Sequence, residues 1–141
     1  LYIIGDGEEK NNLLIKIKEL NLDKKIFLLG FKENIYPYLS ASIAIISCSL
    51  WEDPGAVMIE AAFCNKIVLS SNCRNGPKEF LMNGKAGYLF ENNNIMSLKN
   101  NIEKLVNEDN KEKYLKSVNA KINSKKYTQF RHYRQLSTLL C

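Results

Sequence analysis

Apolar residues along this chain come in short blocks separated by stretches of a different period. Continuous apolar runs at residues 1–4, 26–29, 43–46, 67–69 and 88–90 are bounded by glycines or small polar residues, as in strands buried on both faces. Between them the spacing becomes helical. Leu13, Leu14, Ile17 and Leu20 recur at three and four residues, and so do Ile95, Leu98, Ile102 and Leu105 behind Asn94, a residue type that caps helices. Further helices are predicted over residues 35–41, 54–64 and 77–82, the last ending near Gly84. Strands alternating with helices predict an α/β fold, a Rossmann-like parallel sheet with helices on both faces. Ligands of such sheets collect beyond the carboxyl ends of the strands, so loops 5–7, 30–32, 47–54 and 70–76 are expected to share one functional edge. Residues 111–141 have a less clean apolar face, with Tyr127, Phe130, Leu136, Leu139 and Leu140 available to anchor a terminal helix.

Composition narrows the class without changing that picture. With 141 residues, 45% of them hydrophobic and 25% charged, the chain can bury a core and is neither disordered, collagen-like nor a disulfide scaffold. Its net charge of +5 is unevenly placed: residues 1–110 carry 12 Lys/Arg against 14 Asp/Glu, and residues 111–141 carry 8 against 1. The main body therefore does not call for a polyanionic partner. For the basic tail a solvated helical face ranks first, contact with anionic lipid headgroups second, and nucleic acid third, since its aromatics form no recognisable binding motif. Cys48, Cys64, Cys73 and Cys141 lack the close pairing of a zinc or redox motif and are expected as buried, reduced thiols of a cytoplasmic protein. No signal peptide is visible, and the apolar run at 43–46 is far too short to span a bilayer. The chain begins with Leu1 already in a strand, so its natural N-terminus is expected upstream.

The most informative stretch is residues 49–62, Ser-Leu-Trp-Glu-Asp-Pro-Gly-Ala-Val-Met-Ile-Glu-Ala-Ala. Pro54 at a first helical turn, with Asp53 as a candidate cap, predicts a helix start there and keeps Glu52 and Asp53 on the preceding loop. Glu52 and Glu60 are then a loop carboxylate and a helix carboxylate with seven residues between them. Free amides at Gly55, Ala56 and Val57 would suit a phosphate, and Gly55 has no side chain to obstruct it. For Asp53 a capping role outweighs ligand contact. For Glu60 a solvated helix position is the bland reading, but its apolar neighbours Met58, Ile59, Ala61 and Ala62 favour a functional one.

Other chemistries lack their residues. His132 is the only histidine and lies in the tail, so no Ser-His-Asp triad or histidine-rich metal site can be assembled. No Asp-x-Asp pair offers a metal bridge to a diphosphate, and in the Gly5-Asp6-Gly7 segment Lys10 stands where a dinucleotide fingerprint needs its third glycine.

Together these residues resemble the C-terminal, donor-binding half of group 1 retaining glycosyltransferases of GT-B fold. The likeness rests on a strand followed by Gly5-Asp6-Gly7, a strand with Gly30-Phe31, and the E-x7-E pair Glu52 and Glu60. It continues through the strand after Cys64, Asn75-Gly76-Pro77-Lys78-Glu79, Asn83-Gly84 and Gly87, over roughly residues 1–106. The resemblance implies a donor-binding Rossmann-like domain over 1–106, incomplete at its N-terminus, and a basic helical tail over 107–141. It implies that Glu52 is the catalytic-site carboxylate holding the donor sugar's hydroxyls and that Glu60 accepts from the ribose. Gly55, Ala56 and Val57 would meet the diphosphate, and Gly30 and Phe31 the base. Such an enzyme uses no cofactor or metal beyond its nucleotide-diphosphate sugar. For Gly76, Pro77 and Glu79, a helix start and an active-site role stay open.

Two departures stand out: Asp53 and Asn65 occupy positions where many relatives carry glycine. The basic pair that neutralises the diphosphate and the acceptor-binding N-terminal domain would both lie outside this sequence. The chain is therefore expected to be the donor-binding part of an enzyme that builds surface polysaccharide, lipopolysaccharide or another glycan, and to transfer no sugar unaided. Its expected partners are a nucleotide sugar and, through the missing domain, a glycan or lipid-linked acceptor, with no nucleic acid. Its expected place is the cytoplasm, with peripheral contact at the membrane face through the tail. The rivals are a GT-B-like nucleotide-sugar epimerase, which would need further acid/base residues, and a non-catalytic α/β binding module.

Overall fold

The computed structural model describes residues 1–53 and 55–140, the side chain of Leu140 excepted. Pro54, expected to open a helix, and the fourth cysteine, Cys141, lie outside the described residues. The chain divides into two units, Leu1–Ile35 and the remainder from Tyr36.

The first unit is a βαβ turn of chain: β1 (Tyr2–Ile4), α1 (Lys10–Glu19) and β2 (Phe27–Gly30). The strands pair in parallel, Tyr2 opposite Phe27 and Ile4 opposite Gly30, with an irregularity between Ile3 and Ile4. The Gly5 amide donates to Gly30 O at 3.0 Å and joins the two strand ends at one edge. Helix α1 ends with Asn21 in the left-handed region and the Leu22 amide returning to Ile17 O at 2.9 Å, a Schellman closure. Of the four residues that gave α1 its helical period, only Ile17 is buried. A two-stranded sheet offers one narrow strip of apolar surface, too little to cover Leu13, Leu14 and Leu20 as well.

The second unit holds a three-stranded parallel sheet in the order β3 (Ala44–Ser47), β4 (Ile67–Ser71), β5 (Tyr88–Phe90). Its helices are α2 (Tyr36–Ala41), α3 (Ala56–Phe63), α4 (Pro77–Phe80), α5 (Ile95–Asn107), α6 (Asn110–Ser124) and α7 (Gln129–Leu140). Short 3-10 turns follow α4 (Met82–Gly84) and α6 (Lys125–Tyr127). Every residue of the central strand β4 is buried, the state its uninterrupted run of Ile, Val, Leu and Ser requires. Ile67 and Leu69 pack with Tyr88, Phe90 and Leu105 under Leu98 and Ile102 of α5. Strand alternation turns Val68 and Ser70 to the other side, and α3 and α6 pack on each other and on β4. The expected parallel α/β architecture with flanking helices is therefore present, its strands falling into two sheets.

Local chemistry accounts for several boundaries. Asn94 caps α5 through its side-chain oxygen, which accepts from the Ser97 amide at 2.9 Å. Asn65 adopts φ +56° beyond the end of α3, where the Lys66 amide returns to Ala61 O at 2.9 Å. The position needs a left-handed residue, which explains how asparagine replaces glycine there. Gly87 has no room for a side chain: a Cβ would stand 2.5 Å from Val68 O.

The tail departs from expectation in both directions. Helix α6 is not a freely solvated face. Ser117, Ala120, Asn123 and Ser124 are buried, and the amides of Asn119 and Asn123 donate to Lys85 O and Phe80 O at 2.9 and 2.7 Å. Conversely, Phe130, Leu136 and Leu139 do not anchor α7; all three are exposed, whereas Tyr127 meets the body, its ring edge-on to Phe80 at 5.6 Å. Among the cysteines Cys73 is buried, Cys64 half-buried and Cys48 exposed, all as free thiols.

Candidate functional site

Strand β3 ends at Ser47, and the chain then runs out beyond the sheet edge. Ser71 at the end of β4 donates to Ser49 O, Trp51 forms a parallel bridge with Arg74, and the Glu52 amide donates to Arg74 O at 3.4 Å. The loop carrying Glu52 is thus an extension of strand pairing, which fixes it more firmly than a free loop. The Ser47 hydroxyl donates to Glu52 Oε1 at 3.1 Å and lies 3.2 Å from the Ser49 hydroxyl. The other carboxylate oxygen lies against the start of α3, 3.4 Å from where a Cβ on Gly55 would stand.

Gly55 is the N-cap of α3, at φ +85° and ψ +63°, and no side chain caps the helix. Asp53 is exposed and does not cap, contrary to expectation, because the left-handed turn at Gly55 moves the helix start two residues past it. Met58 and Ile59 donate the first bonds of the helix, both to Gly55 O at 3.0 and 3.4 Å. The amides of Gly55, Ala56 and Val57 are left unused by that ladder, at the positive end of the helix. Ala56 and Val57 are exposed while Gly55 is buried. Glu60 sits one helical turn beyond Ala56 on the same face, half-buried, with no hydrogen bond or ion pair among the described residues. Its carboxylate is a free acceptor for a pair of hydroxyls.

Gly30 and Phe31 lie in the first unit. Gly30 has φ +67° and Phe31 is 75% exposed, a ring open to stacking. Beside them Lys10 donates to Asp6 at 3.0 Å. That hydrogen bond, with one from the Gly7 amide, holds the Asp6 carboxyl below the usual carboxylate range. Just after β3, partial desolvation by the surrounding chain moves the Cys48 thiol up from its ordinary value, although its surface stays exposed. Among the described residues no three His, Cys, Asp or Glu side chains converge on one point.

Sequence reasoning singled out the two glutamates but missed what orients the first of them. Ser47, Ser49 and Ser71 form that support, and their signal was the run of serines at the ends of two apolar strands. It also passed over Arg74, whose backbone pairs with the Glu52 loop and whose side chain lines an open depression with Lys78.

A family model described as "Glycosyl transferases group 1" matches residues 1–122. The chain is 33% identical over 108 residues to the poly(ribitol-phosphate) alpha-N-acetylglucosaminyltransferase of Staphylococcus aureus, covering 77% of this chain and 22% of that protein. It is 32% identical over 117 residues to a Campylobacter jejuni N-acetylgalactosaminyltransferase acting on a diphospho-undecaprenol glycan, covering 83% of this chain and 32% of that protein. Among solved structures, HepE of Anabaena in complex with UDP-glucose superimposes with a TM-score of 0.86 at 26% identity, over 99% of this chain and 40% of that one. The chain therefore spans between about a fifth and two fifths of the proteins it matches.

Proposed function

The chain belongs to the group 1 glycosyl transferases, and from that premise we propose that it binds the nucleotide-diphosphate sugar of a glycosyltransferase acting on a glycan or lipid-linked acceptor. One observation carries the reading: Glu52 is held by Ser47 against the amide-open start of α3, the helix that also bears the unpartnered Glu60. A diphosphate seated on the amides of Gly55, Ala56 and Val57 gains the helix-end dipole as well as hydrogen bonds. The ribose then extends toward Glu60 and the sugar toward Glu52, each carboxylate accepting from hydroxyls. Charge that builds on the departing diphosphate is stabilised by amides already in place, which need no reorganisation during the reaction. The complexes of the Anabaena neighbour with UDP and with UDP-glucose support a uridine nucleotide as first choice of donor.

Transfer itself needs an acceptor site, which relatives several times longer than this chain have room to supply, so we expect the 141 residues alone to bind donor without turning it over. The proposal extends to the cytoplasmic face of a membrane as the working place. There α7, with the 3-10 turn before it, would meet anionic lipid through exposed Phe130 and Tyr133 of the helix, the basic groups Arg131 and Arg134, and Lys125 and Lys126 of the turn.

The test is titration of the labelled chain with UDP while amide resonances are followed. Shifts are expected at Gly55–Val57 and Glu60, and Glu60→Gln is expected to weaken binding about tenfold, the loss of one charged hydrogen bond. Silence at those amides would favour the non-catalytic binding module, and glycosyl transfer by the isolated chain would refute its dependence on further sequence.

A further inference from the structure

The segment after β4 forms an open depression. It is lined by Asn72, Arg74, Asn75, Lys78, Glu79 and Asn83, among others. None of the donor-site residues from Gly55 to Glu60 lines it. Arg74 and Lys78 are exposed, and neither side chain is engaged in an ion pair or hydrogen bond among the described residues. Two cations with no carboxylate partner, ringed by three amide side chains able to donate, form a surface that suits an anion. The one carboxylate on the rim, Glu79, also acts elsewhere: it helps push the Tyr127 phenol up, after the larger effect of burial.

Asn75 and Asn83, at φ +64° and +54°, occupy the left-handed region that asparagine tolerates, and Gly76 lies at +128° just before α4. The Arg74 backbone is fixed to the Glu52 loop by the bridge and by the Glu52 amide. The Arg74 side chain therefore leaves the backbone about one strand spacing, about 5 Å, from the loop that carries Glu52.

We propose that this depression binds a phosphate group of the acceptor, so that the acceptor substrates are phosphate-bearing chains. The inference rests on the reading of Glu52 and Glu60 as the donor face, because that reading already gives the donor diphosphate its own seat on α3. Arg74 supplies planar, two-point recognition of phosphate oxygens, and Lys78 a mobile point charge. The phosphate anchors the acceptor chain beside the sugar, and its covalent bonds are not touched.

The experiment adds two probes separately to the labelled full chain: a short glycerol-phosphate oligomer and UDP. The oligomer is expected to shift the amides of Arg74, Asn75 and Lys78 and to leave Glu60 unmoved, with UDP doing the reverse. Arg74→Gln with Lys78→Gln should weaken the oligomer about tenfold and leave UDP affinity within twofold. The charge-keeping pair Arg74→Lys with Lys78→Arg should retain most oligomer binding, and it serves if the neutral pair fails to fold. The proposal is overturned if the oligomer shifts nothing in this segment. It is equally overturned if UDP competes with the oligomer for the same amides, or if the neutral pair weakens UDP by the same factor, since the cations would then serve the donor. Loss of the UDP response alone would sink the donor reading and leave the oligomer result standing on its own.

Discussion

Gly55 is the residue on which the start of α3 and the position of Glu52 both depend, and Gly55→Ala tests the two together. At φ +85° an alanine is strained by about 1–2 kcal/mol, the general penalty of an L-residue in the left-handed region. The new methyl would also lie 2.2 Å from Met58 Cε, whereas carbon atoms rest at about 3.5–4.0 Å. Met58 is wholly buried, so its side chain must shift by more than an ångström inside a filled core, at about 1–3 kcal/mol. The expected loss of stability is the sum, about 2–5 kcal/mol. Gly84→Ala is the control: φ there is +92°, and nothing lies within 4 Å of an added Cβ. That variant bears the strain alone, about 1–2 kcal/mol, and the gain from a stiffer unfolded chain is the same in both and cancels. Urea unfolding of the two variants gives the difference directly. In a Met58→Ala background the overlap disappears, and the penalty for Gly55→Ala should fall to that of Gly84→Ala. Equal penalties for Gly55→Ala and Gly84→Ala in the wild-type background, within about 0.5 kcal/mol, would refute the packing argument.

Two further expectations concern the C-terminal helices. Glu108 accepts from Tyr88 and pairs with Lys116 at 3.0 Å, with both charged side chains largely buried. Burial alone would raise its pKa, but the two hydrogen bonds and the charges of Lys116 and Lys104 outweigh it and hold the carboxyl below its ordinary value of 4.5. The resulting stabilisation is complete above that value and is lost as pH falls through the folded pKa. Glu108→Gln should therefore lower stability at pH 7 by about 2–3 kcal/mol in urea unfolding, with the gap to wild type narrowing in acid; a gap independent of pH would show that the pair does not carry it. For α7, Phe130→Ser with Tyr133→Ser should abolish flotation with anionic vesicles, while neutral vesicles should not float the wild type. Flotation unchanged by the substitutions would remove α7 from the membrane reading.

The strands were legible because each is a continuous apolar run paired in parallel, although only β4 is buried along its whole length. Helix α5 was legible for a different reason: Asn94 announces its start, and Leu98, Ile102 and Leu105 line one face. Helix α6 was hidden because the surface it buries is Ser117, Ala120, Asn123 and Ser124. Small residues allow close approach to Ala61 and Ala62 of α3, both fully buried, and the asparagine amide satisfies Phe80 O. An apolar period cannot report a helix that packs by small size and hydrogen bonds. The start of α3 was misplaced by a related limit. Proline and aspartate are strong local signals, yet the cap is Gly55, at a positive φ and with Met58 and Glu52 in the space a side chain would take, a requirement set by tertiary packing.

The same distinction separates what was read of the site from what was not. Glu60 is legible because a carboxylate among apolar neighbours has no packing reason to be there, and Glu52 through its seven-residue separation from Glu60 in the family pattern. Their support is illegible one residue at a time, since Ser47, Ser49 and Ser71 acquire meaning only when β3 and β4 lie side by side. Arg74 belongs to that second class. In the sequence it is one cation among twenty; in the fold its backbone pairs with the loop that carries Glu52, and its side chain has no ion pair or hydrogen bond among the described residues. A slightly acidic body that handles phosphate must place its few positive groups where they count. The helix-end amides at α3 and the cations after β4 are two such groups, following β3 and β4, and on the proposed reading each would take the phosphate of a different substrate.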